Sequence, residues 1–499
     1  MKCLMPIFLL LTATAYSTDV YMKTDGNDSN AGDSWANAVA TLAGACAKIT
    51  ANGTHNIYIK QGTYNNSPAA TLSYYSTTIQ GGYEGSGTPG AFTLAATNTI
   101  LDAGNNNRIL TVTYGGSGRD LTIKGLTFRN GKVTATAAGG GAAIYQSNTN
   151  TIAWTIDNCN FENNSFETNT GAASGGAIYI QQALGTDSLI SNCRFTSNSL
   201  NNTGTASGAD GFGGALRVNA GNWARALTVR DCVFSGNSVT LAGSRTAQGG
   251  AICFISSGQL TVERCSFTDN SLTGLSGSTA NWQGGAIYRQ VAYNTNGSQN
   301  WTARNCYFYN NTIGASTGGT RTGAAVTHVA TGTPNTYTTS CSLIHCTFDA
   351  NDDDVNCVFL GNPVDNGTQA HAVTNCIFSN NQYGVSAPAG VRVNIDYPLW
   401  HNNSAGNTGG LGTFTITPAS PATGNPQYVV SGGYAIGITS PAIDAGTATG
   451  AAADDIQGGI RPFDEATVAN TGDGGTSFYD IGCDEYGVVP AQVSSFSVE

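Results

Sequence analysis

The run Leu227–Asn237 reads LTVRDCVFSGN, and Leu260–Asn270 reads LTVERCSFTDN. Leu227 and Val229 alternate with polar residues, as in a half-buried strand. Arg230-Asp231 interrupts the alternation. Cys232 and Phe234 resume it, two residues apart and so on one face. Ser-Gly-Asn then closes with turn chemistry. The same Cys-x-Phe-x-x-Asn unit occurs seven times, starting at Cys159, Cys193, Cys232, Cys265, Cys306, Cys346 and Cys376, with spacings of 34, 39, 33, 41, 40 and 30 residues. Its aromatic positions are Phe161, Phe195, Phe234, Phe267, Phe308, Phe348 and Phe378. Its final positions are Asn164, Asn198, Asn237, Asn270, Asn311, Asn351 and Asn381. Between copies runs Gly-Gly-Ala-Ile/Leu, at Gly175–Ile178, Gly213–Leu216, Gly249–Ile252 and Gly284–Ile287, with weaker forms at Gly141–Ile144 and Gly323–Val326. Two motifs alternating in phase define a repeat architecture.

The GGAI stretch supplies a third strand. Three strands and three bends make one coil of a right-handed parallel β-helix, and the unequal spacings become loops inserted at one corner. Equivalent positions of neighbouring coils lie about 4.8 Å apart, so each inward position becomes a ladder of like residues. Cys and Phe fill the interior. The Asn is expected at a tight bend, where it tolerates left-handed backbone angles, and stacked amides can bond one another. Seven cysteines in one phase favour a reduced, buried ladder. Disulfides between adjacent coils are the competing reading. Cys253, Cys341, Cys357 and Cys483 lie off the ladder and are the better bridge candidates.

Charged residues are only 10% of the chain, against about 25% in an ordinary domain. With a net charge of −11, nucleic acid is disfavoured as a partner. Residues 1–17 read as a secretory signal: Lys2, an apolar core, then Ala13-Thr14-Ala15. No other apolar run approaches the ~20 residues of a membrane span. The chain divides into a signal (1–17), an N-terminal cap of strand plus helix (18–56), β-helix repeats (57–417), a closing segment (418–487) and a linker or truncated tail (488–499). In the cap, Val39, Leu42, Cys46 and Ile49 fall at helical spacing, which predicts a short helix over Ala36–Ile49 started by Asp33 or Ser34.

GGAI alternating with FxxN resembles the repeats of the polymorphic outer membrane proteins, a family of bacterial surface adhesins. The opening YMKTDGNDSNAGDSWANAVATL, with SPAIDAG, RP and DIGCDE near the end, is similar to secreted bacterial β-helix proteins with a choice-of-anchor Q segment. The resemblance implies an all-β, pectate-lyase-like right-handed parallel β-helix exported to the cell surface or medium. It implies no particular ligand. Two features depart from it: no membrane β-barrel follows the repeats, and no recognisable anchor follows Tyr486.

Glycoside hydrolysis commonly needs two carboxylates about 5–10 Å apart. Asp352-Asp353-Asp354 is the densest acidic run, but adjacent strand residues point to opposite faces, so few can converge. None of the five His is followed by Gly, and the basic residues are unclustered. Arg217, Arg289 and Lys124 read as solvent-facing rungs. No catalytic residue is assigned and no cofactor is required. A structural Ca²⁺ is an option at Asp25, Asp28 and Asp33. Asp444, Asp454, Asp455, Asp480 and Asp484 offer a second option, against a hydrogen-bonded cap. The residues after the GGA isoleucines, Tyr145, Tyr179, Arg217 and Tyr288, are expected on the outer face, where the rings would stack on sugars. The competing reading packs them under corner loops. The expected function is a secreted or surface-displayed, adhesin-like, non-catalytic monomer binding carbohydrate or a host or cell surface. A polysaccharide lyase or glycosidase on the same fold, and a structural passenger of a larger exported protein, are the alternatives.

Overall fold

Leu227–Asn237 forms two strands, Leu227–Arg230 and Val233–Ser235, hinged at Asp231, whose φ is +54°. The chain bends again at Gly236, with φ +64°, just before Asn237. Every ladder Asn is likewise preceded by the left-handed residue: Asn163, Ser197, Asp269, Asn310, Ala350 and Asn380 all have positive φ. The expectation that the ladder Asn itself takes that conformation is corrected. Its own backbone is ordinary, and its amide does the work.

A computed structural model describes residues 16–488 apart from 51–52, 74–75, 117, 147–149, 182–186, 206, 222–224, 244, 275–279, 293–298, 316–318, 332–338, 362–369 and 474–477. Residues 1–17, read above as a secretory signal, and the last eleven residues therefore lie almost wholly outside the described residues. The strands stack in parallel into sheets of 13, 12 and 11 strands, plus two of six. The fold is a right-handed parallel β-helix. One sheet, here the leading sheet, holds the strands before each Cys. The phenylalanine sheet pairs Phe161, Phe195, Phe234, Phe267, Phe308, Phe348 and Phe378 in strict register. The glycine sheet pairs the residues after each Gly-Gly-Ala.

Stacking explains the ladder residues. Adjacent phenyl rings lie 4.6 to 5.1 Å apart from Phe128 to Phe378, and Trp400 continues the column at 5.0 Å. Each ladder Asn donates its side-chain N–H to the side-chain oxygen of the next coil's Asn, at 3.0 Å for Asn198 to Asn237, and to the Phe carbonyl of the preceding coil. The next coil's Asn oxygen also accepts the backbone N–H. One buried amide thus satisfies a bend that would otherwise orphan polar groups. The column runs on to Asn403 through Pro398-Leu-Trp400-His-Asn-Asn403, an eighth copy hidden by Cys→Pro and Phe→Trp exchange.

All seven ladder cysteines are buried, and all twelve described cysteines are free thiols. The Cys193 Sγ–H donates to Ser191 O at 3.0 Å. Burial pushes the Cys193, Cys232 and Cys265 thiols well above their usual pKa. A protonated, shielded thiol is a poor nucleophile. Native protein should therefore resist thiol reagents at these three sites until denaturant is added. Rapid modification without denaturant, read by mass spectrometry, would contradict this placement.

Coils between Lys132 and Thr322 are larger than three strands. After the Asn ladder the chain leaves the body, forms strands such as Ser238–Leu241 and Ala247–Gln248, and returns. These build the two six-stranded sheets, a lobe with its own core of Phe166, Leu200, Val239, Leu272, Trp282 and Ile313. Part of each of these corner insertions is thus strand. Their alternating patterns, Ser-Val-Thr-Leu or Ser-Leu-Asn-Asn, are too short to stand out in the sequence.

Both ends differ from expectation. The helix spans Leu42–Ala47, shorter than predicted, and Thr41 caps it by accepting from Gly44 N. Residues before it are held extended: Val39 pairs with the first strand through Tyr21 O and Lys23 N. Leu42, Ala45 and Cys46 join the main core. At the other end, the segment after Thr423 runs back along the outer face of the phenylalanine sheet. Ile436, Ile443 and Ile481 pack there on Ile377 and Leu399. These outward apolar residues mark a covered face.

Candidate functional site

The outward row of the glycine sheet is Tyr145, Tyr179, Arg217, Cys253, Tyr288 and Thr327, in register. Tyr145 and Tyr179 stack at 5.6 Å. Of the two readings, packing under the corner insertions describes this row and the solvent-facing platform does not: Tyr179, Arg217 and Tyr288 are only 7%, 8% and 2% exposed. The lobe covers them. Arg217 bonds Ser174 Oγ and lies 4.0 Å over the Phe212 ring, both on the second lobe sheet. Thr327 donates to Thr322 O. The row faces away from the main core, as strand alternation requires, but a second layer lies over it. Tyr145 alone of the four is half-buried, with the Arg108 guanidinium 4.6 Å over its ring and its hydroxyl donating to Gln181 Oε1 at 3.0 Å.

The carboxylates singled out by sequence serve separate local tasks. Asp28 accepts from Ala40 N, Thr41 N and Thr41 Oγ1. Asp33 accepts from Ser34 Oγ and Asn37 Nδ2. Asp25 pairs with Lys23 at 3.6 Å in a largely exposed contact. Asp352 accepts from Ile313 N and Asp354 N, so it shapes a turn. Asp454 binds Arg264 and Asn305. Asp455 accepts from Gln457 N and Gly459 N, and Asp480 from Asp444 N and Tyr486 N. Among the described residues no group of three or more His, Cys, Asp or Glu is placed to hold a metal ion.

The buried acids of the C-terminal segment carry a pH signature. Burial, then the neighbouring Asp464, pushes Asp444 up to about 6, against the backbone N–H of Glu465, which lowers it. Burial, reinforced by Asp455, pushes Asp484 up to about 6. A folded pKa above the unfolded value favours the protonated form in the native state. This contribution is therefore full below about pH 4 and lost as pH rises through 6. Hydrogen exchange of residues 440–486 should quicken from pH 4.5 to 7 relative to the solenoid, after correction for intrinsic rates. Equal local protection at both pH values would contradict it.

No known family model and no curated protein matches the chain. The leading sheet, with 13 strands, is the longest of the sheets. One outward row runs Thr78, Thr122, Thr155, Leu189, Thr228, Thr261, Thr302 and Ser342 in unbroken register. Every rung is half-buried. The adjacent row alternates in charge, Lys124, Asp157, Ser191, Arg230, Glu263 and Arg304, with Arg304 pairing to Glu263 at 2.7 Å. Hydroxyls and fixed charges at a regular coil spacing make a flat, polar, hydrogen-bonding face. The sequence signal was present in LTVR and LTVE, where each Thr lies between two buried aliphatic residues.

Proposed function

We propose that this protein is a secreted or surface-displayed, non-catalytic β-helix that binds carbohydrate or another cell surface in an adhesin-like manner. The observation that carries the reading is the eight-rung outward row of the leading sheet, hydroxyl-bearing at every rung but Leu189, beside a row of charges of both signs. Such a surface forms many weak hydrogen bonds over several coils. The buried Tyr179, Arg217 and Tyr288 are set aside as a binding face. The resemblance to polymorphic outer membrane repeats and choice-of-anchor Q proteins, and the signal-like residues 1–17, support export. The commitment of Asp28, Asp33, Asp352, Asp455 and Asp480 to backbone and hydroxyl donors supports a non-catalytic role. No metal is required in this reading.

A glycan-array screen, run beside reducing-sugar and unsaturated-product assays on mixed polysaccharides, tests it. The expected result is binding without depolymerisation. Binding should be weakened by Thr155→Glu, Thr228→Glu and Thr261→Glu combined, with an unchanged circular dichroism spectrum. Depolymerisation abolished by Asp353→Asn or Asp354→Asn would establish the enzyme reading instead.

A further inference from the structure

Inside the solenoid, beside the apolar ladders, sit three buried basic side chains. Arg289 follows Phe254 in the inward row of the glycine sheet, and His328 follows Arg289. Arg289 is fully buried, which corrects its reading as a solvent-facing rung. His371 lies opposite on the leading sheet, its ring 5.3 Å from that of His328. Trp301, 6.3 Å from His328, completes the group.

The hydrogen-bond accounting is lopsided. Arg289 gives Nη1–H to Ser256 O and Gln290 O, and Nη2–H to Gly258 O, at 2.7, 2.5 and 2.6 Å. Its guanidinium lies 4.8 Å over the Phe254 ring. Its Nε–H has no acceptor. His371 Nδ1 accepts from Cys341 N at 3.0 Å, so the neutral ring carries its proton on Nε2, which also has no acceptor. Neither nitrogen of His328 has a partner, and the Trp301 indole N–H has only the Cys341 thiol beside it. Unmatched donors thus outnumber unmatched acceptors. Among the described residues Arg289 pairs with no carboxylate, so its charge is uncompensated in the core. Burial lowers its pKa to about 9, which still leaves it cationic at neutral pH. Burial, with His371 and the Arg289 guanidinium beside it, holds His328 well below its usual pKa. An isolated buried charge is costly. A water molecule could take up the N–H groups but could not balance the charge.

We propose that Arg289, His328 and His371 form an interior binding site for one small inorganic anion of the halide or nitrate class. The anion accepts from Arg289 Nε–H and His371 Nε2–H, takes an N–H from His328, and neutralises the guanidinium. It is a structural counter-ion of the coils spanning Arg289 to His371, independent of any outer-surface ligand.

Bromide is the probe. The full chain is unfolded thermally while bromide replaces fluoride at constant ionic strength and pH 7, with calorimetric detection. The expected result is a rise in the unfolding midpoint that saturates as for one site. Arg289→Phe copies the residue one coil earlier and should abolish the bromide-dependent shift. His328→Leu copies Leu360 of the following coil and should reduce it, which keeps a readout if the first variant fails to fold. Crystals grown from bromide should show one anomalous peak against Arg289 Nε. A parent midpoint indifferent to bromide, an equal shift in Arg289→Phe, or water alone at that position would each overturn the proposal.

Discussion

Phe234→Ala should cost the protein about 3–5 kcal/mol, the range for truncating a buried aromatic side chain that the surroundings cannot fill. Phe234 is fully buried at the middle of the ring column, 4.6 Å from Phe195 and 4.9 Å from Phe267, with both neighbouring rings nearly parallel to it. Collapse into the gap is hindered from both sides. The coil spacing is fixed by backbone bonds, including Val233 N to Cys193 O and Ser266 N to Cys232 O. Neither flanking ring can slide along the axis without breaking its own sheet register. Aromatic stacking adds about 0.5–1.5 kcal/mol per pair beyond burial, so two contacts are lost at once. Phe234→Leu, which refills most of the volume, should recover more than half of the loss. Denaturant midpoints of the three proteins test the order. A midpoint for Phe234→Ala equal to the parent's would show that the column carries no stability.

What the sequence made legible follows from period and phase. The two-residue step from Cys232 to Phe234 puts both side chains on one face, and the recurrence of that step in every coil makes the face an interior. The parallel β-helix follows from those facts alone. The lobe was not legible, because its strands are two to four residues long and a pattern such as Ser238–Leu241 shows one alternation before it ends. That omission explains why the sequence left two readings of the tyrosine row open. Strand alternation says only that Tyr179 points away from Ile178 and Ile180, and whether water or another sheet lies beyond depends on the long insertion after Asn202. Arg289 illustrates the reverse error. Its charge suggested solvent, yet it follows Ile287 by two residues, and alternation alone places it inside. The eighth coil was hidden by chemistry rather than by length: Trp400 fills the ring position and Asn403 the amide position, but without Cys the motif fails to match. The route of the C-terminal segment was marked only by Tyr307, Ile377 and Leu399, apolar side chains at outward positions of the phenylalanine sheet.

Arg461→Ala should destabilise the C-terminal segment by about 3–5 kcal/mol, the cost of breaking a fully buried ion pair from one side. Arg461 and Glu485 are both completely shielded and meet at 2.7 Å. Arg461 also donates to Asp454 O, Asp480 O and Gly482 O. Glu485 accepts from Phe463 N and Asp480 N, so the pair ties three stretches of the segment together. Burial pushes Glu485 up to about 7 even with Arg461 opposing the shift. Without the guanidinium, its folded pKa must rise further above the unfolded value. The protonated acid is then the form the native state tolerates, and the penalty of the variant shrinks as pH falls from 8 towards 5. Arg461→Met combined with Glu485→Leu removes both charges, and its penalty should be well below that of Arg461→Ala. The segment docks on the solenoid through Cys483 N to Thr347 Oγ1 and through Asn375 Nδ2 to Thr447 O, so its loosening exposes the outer face around Ile377. Limited proteolysis between residues 424 and 488 should therefore be fast in Arg461→Ala at pH 8, slower at pH 5, and near the parental rate in the double variant. Resistance of Arg461→Ala equal to the parent's at pH 8 would show that the apolar contacts of Ile436, Ile443 and Ile481 hold the segment without the ion pair.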